Sequence, residues 1–184
     1  MDKKKIDEIK EKAFEIRCLT INEIASFGSG HIGGAMSISD LLALLYFDVM
    51  NVDPKNPGKE DRDRLVVSKG HAGPAVYASL ALKGYFPKEM LSTLNQGGTS
   101  LPSHCDMLKT PGVDFTAGSL GQGFSAAAGI ACGNRVKGVD AWTFSIIGDG
   151  ESQEGQIWEA AEFAGAQKLD RLIAFEDLNG QQLD

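Results

Sequence analysis

The segment 141-AWTFSIIGDGESQEGQIWEAAEFAGAQKLDRLIAFEDLNGQQLD-184 restricts the fold more than any other part of this chain. It holds two short, continuous apolar runs, 141–147 and 171–177, on either side of a helical stretch at 153–167. In that stretch Ile157, Ala160, Ala161, Phe163 and Ala164 are available for packing. Apolar runs of this length suit parallel strands buried on both faces, and one helix between them makes a right-handed βαβ crossover. The expected fold class is therefore α/β, a parallel sheet flanked by helices. Both runs stop at turn residues, Gly148-Asp149-Gly150 and Asn179-Gly180. Ligands of open parallel sheets sit beyond the carboxyl ends of the strands, so the two turns should meet at one site.

The chemistry at that junction follows from the donor set. One carboxylate (Asp149), one amide oxygen (Asn179) and a nearby main-chain carbonyl are hard oxygen ligands, suited to Mg²⁺ or Ca²⁺ and not to zinc. Mg²⁺ held by so few protein groups shares its shell with phosphate oxygens and water. Gly150 should open the following helix, whose amides and dipole favour the same anion. A metal–diphosphate clamp is the expectation. Gly-Asp-Gly alone and Asn-Gly alone are common turns; two of them, each ending an apolar run and separated by one helix, carry the signal.

The rest of the chain supplies the covering helices. Ile6, Ile9, Ala13, Ile16 and Ile24 recur at helical spacing over 3–25. The stretch 26-SFGSGHIGGAM-36 is too glycine-rich to be helical, and Ser37-Ile38-Ser39-Asp40 has capping-box spacing ahead of LLALLYFDVM. LVVS (65–68) reads as a short strand, 70–86 as the start of a buried helix, 121–136 as a helix with a glycine–alanine face, 88–95 as a short helix and 96–118 as loop. Glu151, Gln153 and Glu159 read as solvated.

Composition excludes several classes. At 184 residues and 42% apolar content the chain suits one domain or part of a larger one. A net charge of −7 without a basic stripe argues against a nucleic-acid partner. The charged N-terminus is not a signal peptide, and no run is expected to reach the length of a membrane span. Cys18, Cys105 and Cys132 show no metal spacing and read as free thiols of a reducing, cytoplasmic compartment.

Four segments together carry a resemblance: 29-SGHIGGAMSISDLL-42, 68-SKGHAGPAVYASL-80, 115-FTAGSLGQGFSAAAGIA-131 and 148–184. In this order they resemble the diphosphate-binding domain of transketolase, closest to the split form in which that domain is its own subunit. The resemblance runs from about residue 10 to the end. It implies thiamine diphosphate and Mg²⁺ as cofactors, with Ca²⁺ as the alternative cation. Asp149, Asn179 and the main-chain carbonyl of Gln181 are the implied metal ligands. His31 and His104 are implied to act on the substrate's reacting oxygens and carbonyl, and His71 to contact the diphosphate. Gly118 and Leu120, in the loop 118–123, together with Gly150 and Asn179, are implied cofactor contacts. Glu154 is implied to face the cofactor-activating glutamate of a partner. An imidazole titrates near neutrality and can give and retake a proton as a carbon–carbon bond breaks.

Two departures stand out. Ile32 and Cys105 occupy positions where the family usually has proline after a histidine, which frees the local φ angles. The implied activity is transfer of a two-carbon ketol unit from a ketose phosphate to an aldose phosphate. The carboxylate that activates the cofactor's pyrimidine is implied to lie in a C-terminal pyrimidine-domain subunit, so this chain alone should be inactive and should assemble as a dimer of heterodimers. The diphosphate domain is expected to continue past residue 184. Two alternatives remain: the alpha subunit of a 2-oxoacid dehydrogenase, against which SGHIGG and SKGHAG argue, and a non-catalytic binding subunit.

Overall fold

The computed structural model describes residues 2–180 and 182. Helix α1 spans Lys3–Phe27, capped by the Asp2 carboxylate on the Lys5 amide at 2.8 Å and ended at Gly28, whose φ of 87° suits glycine. Contrary to the sequence expectation, the glycine-rich stretch contains one helical turn, α2 (Ile32–Met36). Burial of Ala35 beneath it offsets the glycines' entropy cost. The capping box is also not formed. Helix α3 (Ser39–Leu44) begins after Ile38 without a side-chain cap, and a π turn continues it over Leu45–Val49. Ser37 instead donates its hydroxyl to Asp177, and Asp40 pairs with Arg17.

Strand β1 is Arg64–Val67, β2 is Thr143–Gly148 and β3 is Leu172–Asp177. They form one parallel sheet in the order β1-β2-β3, with Gly148 opposite Asp177 at its carboxyl edge. A short 3-10 turn (Gly70–Ala72) leads from β1 into α4, Gly73–Lys83. The expected helix at 88–95 is a 3-10 segment, Lys88–Thr93. Helix α5 spans Gln122–Lys137, and α6 spans Gly155–Ala166 between β2 and β3.

Strand alternation sorts the core into two layers. Leu65, Val67, Phe144 and Ile146 pack under α1, α3 and α4. Val66 and Ile147 pack against Phe124 and Ala127 of α5 and Ile157 and Ala160 of α6. β2 is buried throughout, as the apolar run implied. β3 is not: Ala174 and Glu176 are exposed, since no strand pairs with its outer edge among the described residues. One stretch, Ile32–Val49, does have the length and apolarity of a membrane span, contrary to the sequence expectation. In the fold it is broken at Ser37–Ile38, and Ile38, Leu42, Ala43 and Leu45 are buried in the core.

Glu23 sits in this core at 1% exposure, and neither carboxylate oxygen has a hydrogen-bond partner among the described residues. Burial pushes its carboxyl from 4.5 up to about 9. Between those values only the folded chain holds the proton, so stability falls as pH rises through that window. The slope from this group is at most ~1.4 kcal/mol per pH unit. Glu23→Gln should flatten the fall in Tm between pH 5 and pH 9; an unchanged profile would mean that Glu23 is ionised in the fold.

Candidate functional site

The carboxyl ends of the three strands converge with the turn before α2 and the loop before α5. Asp149 follows β2. Its Oδ1 accepts from the Gly150 amide at 3.0 Å and its Oδ2 from the Gly180 amide at 2.9 Å. The carboxylate therefore fastens the loop after β2 to the loop after β3. Asn179 lies beside it, as the two strand-ending turns implied, and donates Nδ2 to Asp177 at 2.7 Å. Gln181 lies outside the described residues. Gly150 does not open α6: a 3-10 turn (Glu151–Gln153) intervenes and the helix begins at Gly155. Its amide is engaged by Asp149, so the helix terminus that sequence placed at Gly150 lies several residues away.

The three histidines form one cluster. His31 and His71 have ring centroids 5.0 Å apart, and His31 and His104 6.1 Å apart. They come from three segments: the N-cap of α2, the 3-10 turn after β1, and the loop 96–118. Burial lowers His71 to about 4, aided by His31, Lys69 and His104. Burial and His31 lower His104 also. His71 is thus neutral near pH 7, with one ring nitrogen donating and the other accepting. Gly34 makes room for it, because a Cβ there would meet His71 Nε2 at 3.1 Å.

The two departures from proline each add a donor that proline lacks. The Cys105 amide donates to the Gly70 carbonyl at 3.3 Å while its own carbonyl accepts from Ala117 at 3.1 Å, tying the His104 loop to the His71 turn. The Ile32 amide bonds to the Gly30 carbonyl at 3.1 Å. The cysteines are free thiols, as expected.

Sequence reasoning missed three charged residues that build this site. Lys69, 1% exposed, donates to the Gly34 carbonyl at 2.7 Å and to Asp177 at 2.5 Å. Burial alone would raise the Asp177 carboxyl, but the bonds from Lys69, Ser37 and Asn179 outweigh it and hold it below its usual range. Glu151 is 2% exposed, not solvated as expected. Its Oε1 accepts from the Ser68 hydroxyl at 2.5 Å and the Gly121 amide at 2.7 Å, and its Oε2 from the Gly148 amide at 3.1 Å. One buried carboxylate thus ties the ends of β1 and β2 to the loop before α5. Gly123, in the first turn of α5, lets that helix approach β1, since a Cβ there would meet the Ser68 backbone at 2.5 Å. Glu151→Gln keeps the shape but turns an amide N–H toward a backbone donor. It should cost about 2 kcal/mol in urea unfolding. An unchanged midpoint would show that the three bonds contribute nothing net.

Gly118 and Leu120 lie exposed on that same loop, where a Cβ at Gly118 would meet nothing within 4 Å. Leu120 is held by its carbonyl to Gln156 at 3.2 Å. Glu154 is exposed at the N-cap of α6, and no contact joins it to the histidines among the described residues. Gln153 and Glu159 are exposed as expected.

The arrangement fits a diphosphate with a divalent cation. The Asp149 carboxylate is fixed at the strand junction, an amide side chain stands beside it, the neutral His71 stands on the turn after β1 with the other two imidazoles near it, and the glycine loop leaves open space. Residues 9–184 match the thiamine diphosphate binding domain of transketolase. The chain is 59% identical, over its whole length, to 66% of the 6-deoxy-6-sulfo-D-fructose transketolase subunit SqwG of Clostridium sp. (strain MSTE9). It is 41% identical, over 84% of its length, to 55% of an apulose-4-phosphate transketolase subunit from Phocaeicola vulgatus. Transketolase from Leishmania mexicana superposes on 91% of the chain with a TM-score of 0.85 and 35% identity, and 27% of that structure is covered. The chain spans less than two thirds of the length of these relatives.

Proposed function

The chain belongs to the transketolase family, and from that premise we propose that it supplies the diphosphate-binding part of a thiamine diphosphate- and Mg²⁺-dependent ketol transferase. The observation that carries this reading is the Asp149 carboxylate bonded across two adjacent strand ends, with Asn179 beside it, together with the cluster of three histidines, one of them on the turn after β1. Asp149, Asn179 and a main-chain oxygen near residue 181 hold the cation, and His71, Gly118, Leu120 and Gly150 border the cofactor. When bound, thiamine diphosphate supplies the electron sink for carbon–carbon cleavage. His31 and His104 move or hold protons at the substrate's hydroxyl and carbonyl oxygens. Glu154, exposed at the start of α6, meets a partner chain.

A partner subunit supplies the acid that activates the cofactor's pyrimidine, a reading supported by relatives that are themselves named as subunits. The assembly is a cytoplasmic dimer of such pairs. The two similar subunits are named for a sulfonated and a phosphorylated sugar, which points to a donor ketose with an anionic terminus. The test is to mix the full-length chain with a candidate pyrimidine-domain subunit, thiamine diphosphate and Mg²⁺. Ketol transfer is then followed from 6-deoxy-6-sulfofructose and from fructose 6-phosphate. Transfer by the pair and none by either chain alone is the expected result. Turnover by this chain alone overturns the split reading, and Mg²⁺-dependent cofactor binding without any transfer favours a non-catalytic subunit.

A further inference from the structure

Asp177 Oδ2 collects three donors: Lys69 Nζ at 2.5 Å, the Ser37 hydroxyl at 2.6 Å and Asn179 Nδ2 at 2.7 Å. A carboxylate paired to a buried ammonium can only accept, so what it receives from the Asn179 side chain must be the NH₂ end. Ser37 Oγ stands 3.5 Å from the same Nδ2, a second acceptor-side contact for that end. Lys69 also holds the Gly34 carbonyl, so it joins the turn that carries His31 to the end of β3.

We propose that the buried Lys69–Asp177 pair sets the flip of the Asn179 amide, presenting its oxygen to the cation side of the strand junction. Lys69 and Asp177 are positioning residues. An amide is nearly symmetric in shape, so sterics alone do not choose between its two ends, whereas hydrogen-bond chemistry does. Turned the other way, Asn179 would offer N–H groups to a cation and bind none. Oriented ligands of this kind depend on the groups behind them for affinity. The inference rests on the proposed function of the site.

The test uses the full-length chain with its partner and reads the Mg²⁺ concentration that gives half-maximal thiamine diphosphate binding, by titration calorimetry. Lys69→Met with Asp177→Asn should raise that concentration at least tenfold, because with the ammonium gone nothing fixes which end of the new amide faces Asn179. Asp177→Asn alone should raise it less, because Lys69 Nζ still draws the amide oxygen to the place that Asn179 Nδ2 bonds. The swap Asp177→Asn with Asn179→Asp should return the Mg²⁺ requirement to within about threefold of the parent, since a carboxylate at 179 has oxygen at both ends. Its Tm should stay low, because the ion pair is gone. A purely structural pair would lower Tm in all three variants and leave the Mg²⁺ requirement alone. That result, or a swap that folds without recovering metal affinity, overturns the proposal. A parent protein showing no Mg²⁺-dependent cofactor binding would overturn the reading of the site and this inference together.

Discussion

His31→Ala is expected to lower ketol transfer by about 10²–10⁴-fold, the usual loss for one positioned acid–base group, while changing thiamine diphosphate affinity by less than tenfold. The difference between His31 and its neighbours decides this. His71 is half-buried and packed against Gly34, so it braces the wall of the site. His31 is exposed, caps α2 through its backbone alone, and makes no side-chain hydrogen bond among the described residues. Its removal therefore takes away an imidazole without collapsing a loop. A second readout needs no turnover. His31 lowers the proton affinity of both His71 and His104, so its loss removes a repulsion and should move both titrations upward. Proton NMR titration of the ring protons checks the direction. Normal turnover with poor cofactor affinity would instead make His31 a diphosphate contact and no more.

The positions that sequence made legible are those where chemistry coincides with a local pattern. Asp149 and Asn179 each end an apolar run, and parallel pairing of β2 with β3 brings them together without further information. The histidines converge because their segments match the family in order, not because any spacing places them 5.0 and 6.1 Å apart. The residues missed are those whose partners are remote. Lys69 and Asp177 are 108 positions apart, and Glu151 reaches Ser68 across 83. A Lys or Glu beside a glycine turn reads as solvated unless its partner is known, and only the folded sheet brings the partner. Ser37 failed for a related reason. Its short-range cap competed with a remote carboxylate, and a charge-assisted bond to Asp177 is stronger than a neutral cap.

Asp149→Ala should weaken thiamine diphosphate binding at saturating Mg²⁺ by at least a hundredfold, about 2.7 kcal/mol. Two losses coincide in that substitution. On the proposed reading the cation loses a charged protein ligand, and the amides of Gly150 and Gly180 lose the acceptor that holds the β2 and β3 loops together. Asp177 does not substitute, since three donors already engage it. Asp149→Asn separates the two losses. It keeps one oxygen for a loop amide but forfeits the charge, and should fall between the parent and the alanine variant, near tenfold. Calorimetry with EDTA in place of Mg²⁺ then completes the argument. If Asp149 acts through the cation, the deficit shrinks in EDTA to the part that the loop brace contributes. A deficit undiminished in EDTA would make Asp149 a brace between two loops and nothing more, and the metal would have to be held elsewhere.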